Sequence, residues 1–76
     1  MITGLQVRMA LAALRWSREV LAERSGLSRR TIQRLTDIDG VPPRMTVANL
    51  SAIQTALERE GVQFVPDGVV FKSGSA

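Results

Sequence analysis

Histidine and cysteine are both absent from the 76 residues of this chain. Their absence removes the usual acid–base side chain, the thiol nucleophile, any disulfide and the common zinc ligand sets. A stapled or metal-organised fold is therefore excluded, and a reducing compartment is compatible with the composition. There is no glycine-rich phosphate cradle, and the seven carboxylates are scattered without metal-ligand spacing, so the chain reads as a non-enzyme without cofactor or metal. Long apolar runs are missing too. None approaches the ~20 residues that a spanning helix needs, and the N-terminus lacks the charged-then-apolar layout of a signal peptide. A soluble, cytoplasmic protein with no membrane partner is expected.

What is present is arginine. Nine of the ten basic residues are arginines, and the stretch from Ser28 to Leu35 holds three of them without one carboxylate. The net charge of +3 understates this local concentration, because Glu58, Glu60 and Asp67 lower the total from elsewhere in the chain. Arginine carries a planar fork of donors that suits phosphates and guanine edges.

The arginines belong to a patterned segment, REVLAERSGLSRRTIQRL, from Arg18 to Leu35. Ser17 precedes the apolar run Val20, Leu21, Ala22 and is a good N-cap, with Glu19 adding negative charge at the favourable end of a helix dipole. Gly26 falls where a left-handed residue is needed to stop that helix near Ser25, and Ser28 supplies the next cap two residues later. So little chain between two helices forces a steep crossing. Ala22 is the small residue at the crossing, Leu21, Leu27, Ile32 and Leu35 are its apolar contacts, and Arg29, Arg30, Gln33 and Arg34 remain outward.

On these residues the chain resembles a helix-turn-helix domain of the Cro and phage-repressor type, the XRE-like class of bacteria and phages. Ala22, Gly26, Ile32 and Leu35 match the family's small residue, turn glycine and two apolar recognition-helix positions. The opening ITGLQVRMALAALRWSREVLAERSGLS adds an N-terminal helix and a Trp-Ser junction common in short members, and the likeness covers roughly residues 3 to 60. Two departures stand out. Leu11 and Thr36 occupy the positions where relatives pair an arginine with a glutamate, and since both partners are replaced together no buried charge is stranded. Arg18 stands where relatives often carry a phosphate-contacting glutamine, so it keeps that role and adds charge.

Around the motif, Thr3 caps an amphipathic helix over residues 3 to 15, with Val7, Ala10, Leu11 and Leu14 inward and Arg8 and Arg15 off the stripe. Trp16 is taken as a core plug rather than a base-stacking platform. Residues 37 to 44, DIDGVPPR, read as a loop, with Arg44 at its end. Thr46 caps a helix running to about Glu60, with Val47, Leu50, Ile53, Ala56 and Leu57 as its apolar face, and Gly61 ends it. VQFV and VVFK about Pro-Asp-Gly then read as two short strands. Val62, Phe64, Val69, Val70 and Phe71 give this ribbon more apolar surface than a small domain leaves wet, so either it pairs with a second copy or it folds back on the last helix. The SGSA tail is short and polar.

The expected architecture is mainly α: a compact, lambda-repressor-like helix-turn-helix bundle of four to five helices over residues 1–61, a β ribbon at 62–72 acting as a dimerisation element, and a disordered tail at 73–76. At this length the core is marginal and association would help. The resemblance implies a small transcriptional regulator that binds double-stranded DNA as a homodimer, recognition helix about 28–37 in the major groove. Arg29 and Arg30 are the candidates for guanine, Gln33 or Thr31 for adenine or a thymine methyl, and Arg34 lies on the same face. Ser17, Arg18, Ser28 and Arg44 would contact phosphates. A partner such as RNA polymerase fits this role. The alternative is a protein-interaction module, antitoxin-like or an accessory subunit, whose mark would be an apolar recognition face.

Overall fold

Each helix of this chain begins on a hydroxyl. In the computed structural model, which describes residues 1–72, the elements are α1 (Gly4–Leu14), α2 (Arg18–Ser25), α3 (Arg29–Thr36), α4 (Val47–Glu58), β1 (Val62–Val65) and β2 (Gly68–Phe71). The side chains of Thr3, Ser17, Ser28 and Thr46 accept from the amides of Gln6, Val20, Thr31 and Asn49, so each cap satisfies one of the unpaired first-turn amides of its helix. Such caps stabilise by about 1 kcal/mol each, a large contribution in so small a domain. Among the described residues there are four helices, the lower of the two expected counts, and none is long and apolar enough to cross a membrane. The tail at 73–76 lies outside the described residues.

Between α2 and α3 the chain turns at Gly26, whose φ of 75° is the left-handed conformation that ends a helix with least strain in glycine. The two helices close on Leu21, Ala22, Ile32 and Leu35, all buried, and α2 also packs on α4. From α4 the core receives Leu50, Ile53, Ala56 and Leu57. Val47 was expected on that apolar face but is 65% exposed. At 100° per residue its direction falls well off the stripe centred on the other four.

α1 is held against the end of α3 by close backbone approach. A β-carbon at Gly4 would overlap the carbonyl oxygens of Leu35 and Ile38. The amides of Gly4 and Leu5, which no helix carbonyl can satisfy, donate to the carbonyls of Gly40 and Asp39 at 2.7 and 3.1 Å. Arg8 completes the junction from the other side. Its Nη1 donates to the carbonyls of Thr36 and Ile38 at 2.9 Å each, and its Nη2 pairs with Asp39. Arg8, off the apolar stripe of α1, therefore caps the C-terminus of α3, where a cation is favoured by the helix dipole.

The ribbon is antiparallel, with Val62 opposite Phe71, Gln63 opposite Val70, Phe64 opposite Val69 and Val65 opposite Gly68. Its two-residue turn is Pro66-Asp67, with Asp67 at φ 63°. The expectation of an open dimerisation surface is corrected for three of its five residues. Val62 is 3% exposed and part of the core, and Phe64 and Val69 are half-buried against it. Only Val70 and Phe71 remain exposed, at 45% and 43%. Ribbon and helices share one core through Val62. The main support also differs from the alternative of folding back on the last helix: β2 lies on α1, while β1 reaches α4. Gln6 fastens it. The Gln6 Oε1 accepts from the Thr3 amide at 3.0 Å, closing a capping box, and Nε2 donates to the carbonyls of Val65 and Gly68 at 2.6 and 3.0 Å. Glutamate would serve the box as well but would set its charge against two carbonyl oxygens.

Gly4→Ala tests the α1–α3 junction. Because the added methyl meets backbone rather than a yielding side chain, the substitution should cost at least about 1–3 kcal/mol and lower the thermal midpoint accordingly. An unchanged midpoint by circular dichroism would contradict so close an approach.

Candidate nucleic-acid interface

α3 divides into two faces. Ile32, Leu35 and Thr36 are buried, whereas Arg29, Arg30, Gln33 and Arg34 are exposed. At 3.6 residues per turn, Arg30 and Arg34 stack one turn apart in the middle of the outward face, with Arg29 and Gln33 stacked beside them toward α2. Among the described residues, no ion pair or hydrogen bond within the chain engages the side chains of Arg30, Gln33 or Arg34. Thr31 is half-buried at the other flank, its hydroxyl 2.9 Å from that of Ser28.

Arg29 is differently placed. Its Nε lies 3.0 Å from the Oε2 of Glu19, across the α2–α3 crossing, with the two side chains 63% and 59% exposed. Exposed pairs of this kind contribute about 0–1 kcal/mol, so the contact adds little to the stability of the fold. By sequence alone Glu19 serves only the helix dipole. Its meeting with Arg29 depends on the angle between two helices, which no local pattern specifies.

The residues expected at phosphates are not all equally free. Ser17 and Ser28 accept from the Val20 and Thr31 amides at 3.2 and 3.1 Å. Arg44 is exposed in the turn that follows Pro42. Arg18 is half-buried, and its Nε donates to the Thr36 hydroxyl at 2.7 Å, which in turn donates to the Ile32 carbonyl at 2.9 Å. Thr36 thus has a structural use: a neutral hydroxyl receives an arginine from α2. Leu11 is core. The signal for Arg8 was legible in retrospect, because it is the single charged residue within an otherwise almost wholly apolar helix.

Trp16 is half-buried against the core, and the Arg24 guanidinium covers it at 5.1 Å from the ring centroid. Arg24 also lies 3.5 Å from Glu60, so the ring carries a cation tied to the region after α4. Beside it, Arg8, Trp16, Ser17, Arg18, Glu19 and Arg29 border an open cleft of about 320 Å³. Comparison of the chain with family models, curated proteins and solved structures finds no match.

Thr36→Val keeps the side chain's shape and removes the acceptor of Arg18. The expected loss is about 0.5–1.5 kcal/mol, seen as a lower urea midpoint with an unchanged slope. A midpoint equal to that of the unmodified protein would show that the bond adds nothing to the fold.

Proposed function

We propose that this chain is a sequence-specific binder of double-stranded DNA, a small transcriptional regulator whose α2–turn–α3 unit is a helix-turn-helix of the XRE-like kind. The observation that carries the reading is the outward face of α3, where Arg30, Gln33 and Arg34 project together from a helix whose opposite face is buried. α3 lies in the major groove; Arg29 and Arg30 face guanine, and Gln33 or Thr31 faces adenine or a thymine methyl. Ser17, Arg18, Ser28 and Arg44 sit toward the phosphate backbone. The alternative of a protein-interaction module calls for an apolar face on α3, and the face there is arginine-rich and polar.

Duplex binding measured across a salt series is the direct test. The logarithm of the association constant should fall linearly with the logarithm of salt, by about 0.9 for each phosphate neutralised. Arg30→Ala should cost about 1–3 kcal/mol at the preferred site and flatten the preference at one base pair. Absence of binding to any duplex at low salt overturns the reading.

The regulator acts as a homodimer in this proposal. Val70 and Phe71 on β2 and Leu5 and Met9 on the adjoining α1 are 37–45% exposed apolar side chains, and a two-stranded sheet leaves an unpaired edge on each strand. A two-fold dimer presents two recognition helices to one side of the duplex, and its site is an inverted repeat with half-sites roughly 34 Å apart or a multiple of that. Phe71→Lys should lower the mass seen by light scattering and the DNA affinity together, with the helical circular dichroism retained. An unmodified protein that stays monomeric at high micromolar concentration, and selects sites without repeat symmetry, overturns the dimer.

A further inference from the structure

The cleft beside Trp16 is bordered by three arginines, and two of them are bonded to the end of α3 and the loop beyond it. Arg8 bonds to the Thr36 and Ile38 carbonyls and to Asp39, and Arg18 bonds to the Thr36 hydroxyl. Arg29 alone faces the Glu19 carboxylate, with Oε2 at 3.0 Å from its Nε. The contact is an ion pair between two largely exposed side chains. A guanidinium edge with two N–H donors is the fork that matches guanine O6 and N7.

A carboxylate at this place is otherwise unfavourable to the proposed function. It lies one residue from Arg18 and next to the arginine face of α3, so it repels the phosphates that those arginines attract. Glu23, one turn further along α2, is exposed as well and has no such pairing among the described residues. We propose that Glu19 is a positioning residue for base recognition: its ion pair with Arg29 narrows the orientations that the guanidinium takes at the α2–α3 crossing, giving up general affinity for selectivity at one base pair. An untethered arginine reaches phosphates and bases in many rotamers, whereas a tethered one loses less freedom when it docks on a single base edge. This inference rests on the DNA-binding reading.

The test uses the full chain, short duplexes selected from random sequence, and the same duplexes with single base-pair changes. Glu19→Ala and Glu23→Ala each remove one negative charge, so both should raise affinity for random duplex, an effect that fades with salt. Only Glu19→Ala should also reduce discrimination at one base pair, by roughly 5- to 10-fold, and that base pair should be the one affected by Arg29→Ala. In the Arg29→Ala background, Glu19→Ala should leave discrimination unchanged. Equal behaviour of the two glutamate variants, or a loss of discrimination that persists without Arg29, overturns the positioning role while DNA binding stands. If the unmodified protein binds no duplex, the functional reading fails and this inference with it.

Discussion

The meeting of the N-terminus of α1 with the C-terminus of α3 is the constraint on which the rest of this small protein depends. Two helix ends, each with unsatisfied backbone groups, complete one another: the loop after α3 supplies carbonyls to the Gly4 and Leu5 amides, and Arg8 of α1 returns donors to the Thr36 and Ile38 carbonyls. The exchange requires backbone-to-backbone contact, which is why position 4 has no side chain. It also brings the positive end of one helix dipole to the negative end of another.

From that junction the orientation of α3 follows. Arg18 reaches the same helix end from α2 through the Thr36 hydroxyl, so α3 is held from two neighbours at its C-terminus while Ile32 and Leu35 anchor its inner side. A helix of eight residues is too short to be stable by its own propensity, and its direction is set by these attachments. The arginine face can therefore stay exposed without the helix losing its place. Polar links of this kind matter more in a short chain, where the apolar core alone is a marginal source of stability.

The ribbon belongs to the same economy of structure. A two-stranded sheet is marginal in water, and here it is secured by Val62 within the core and by Gln6, which joins the start of α1 to the hairpin's closing residues. Deleting it would remove a core side chain and strand the Gln6 amide. Its apolar character thus serves first to close the domain, and only the outer residues Val70 and Phe71 are left for any further contact.

What the sequence by itself determined is local: the four caps, the glycine stop at Gly26, the two-faced pattern of α3, and the hairpin around Pro66-Asp67. These depend on groups a few residues apart, and side-chain type at fixed spacing specifies them. The tertiary structure decided where the long polar side chains end. Arg8 finds carbonyls 28 and 30 residues away, Gln6 finds two 59 and 62 residues away, and Arg18 and Glu19 meet partners on α3. It likewise turned Val62 inward and Val47 outward. An arginine or glutamine can serve many acceptors within its reach, and only helix crossing angles and the docking of the ribbon select one. The arginine face of α3 was therefore legible in advance, but the arrangement that tethers Arg29 and draws Arg18 toward Thr36 was not.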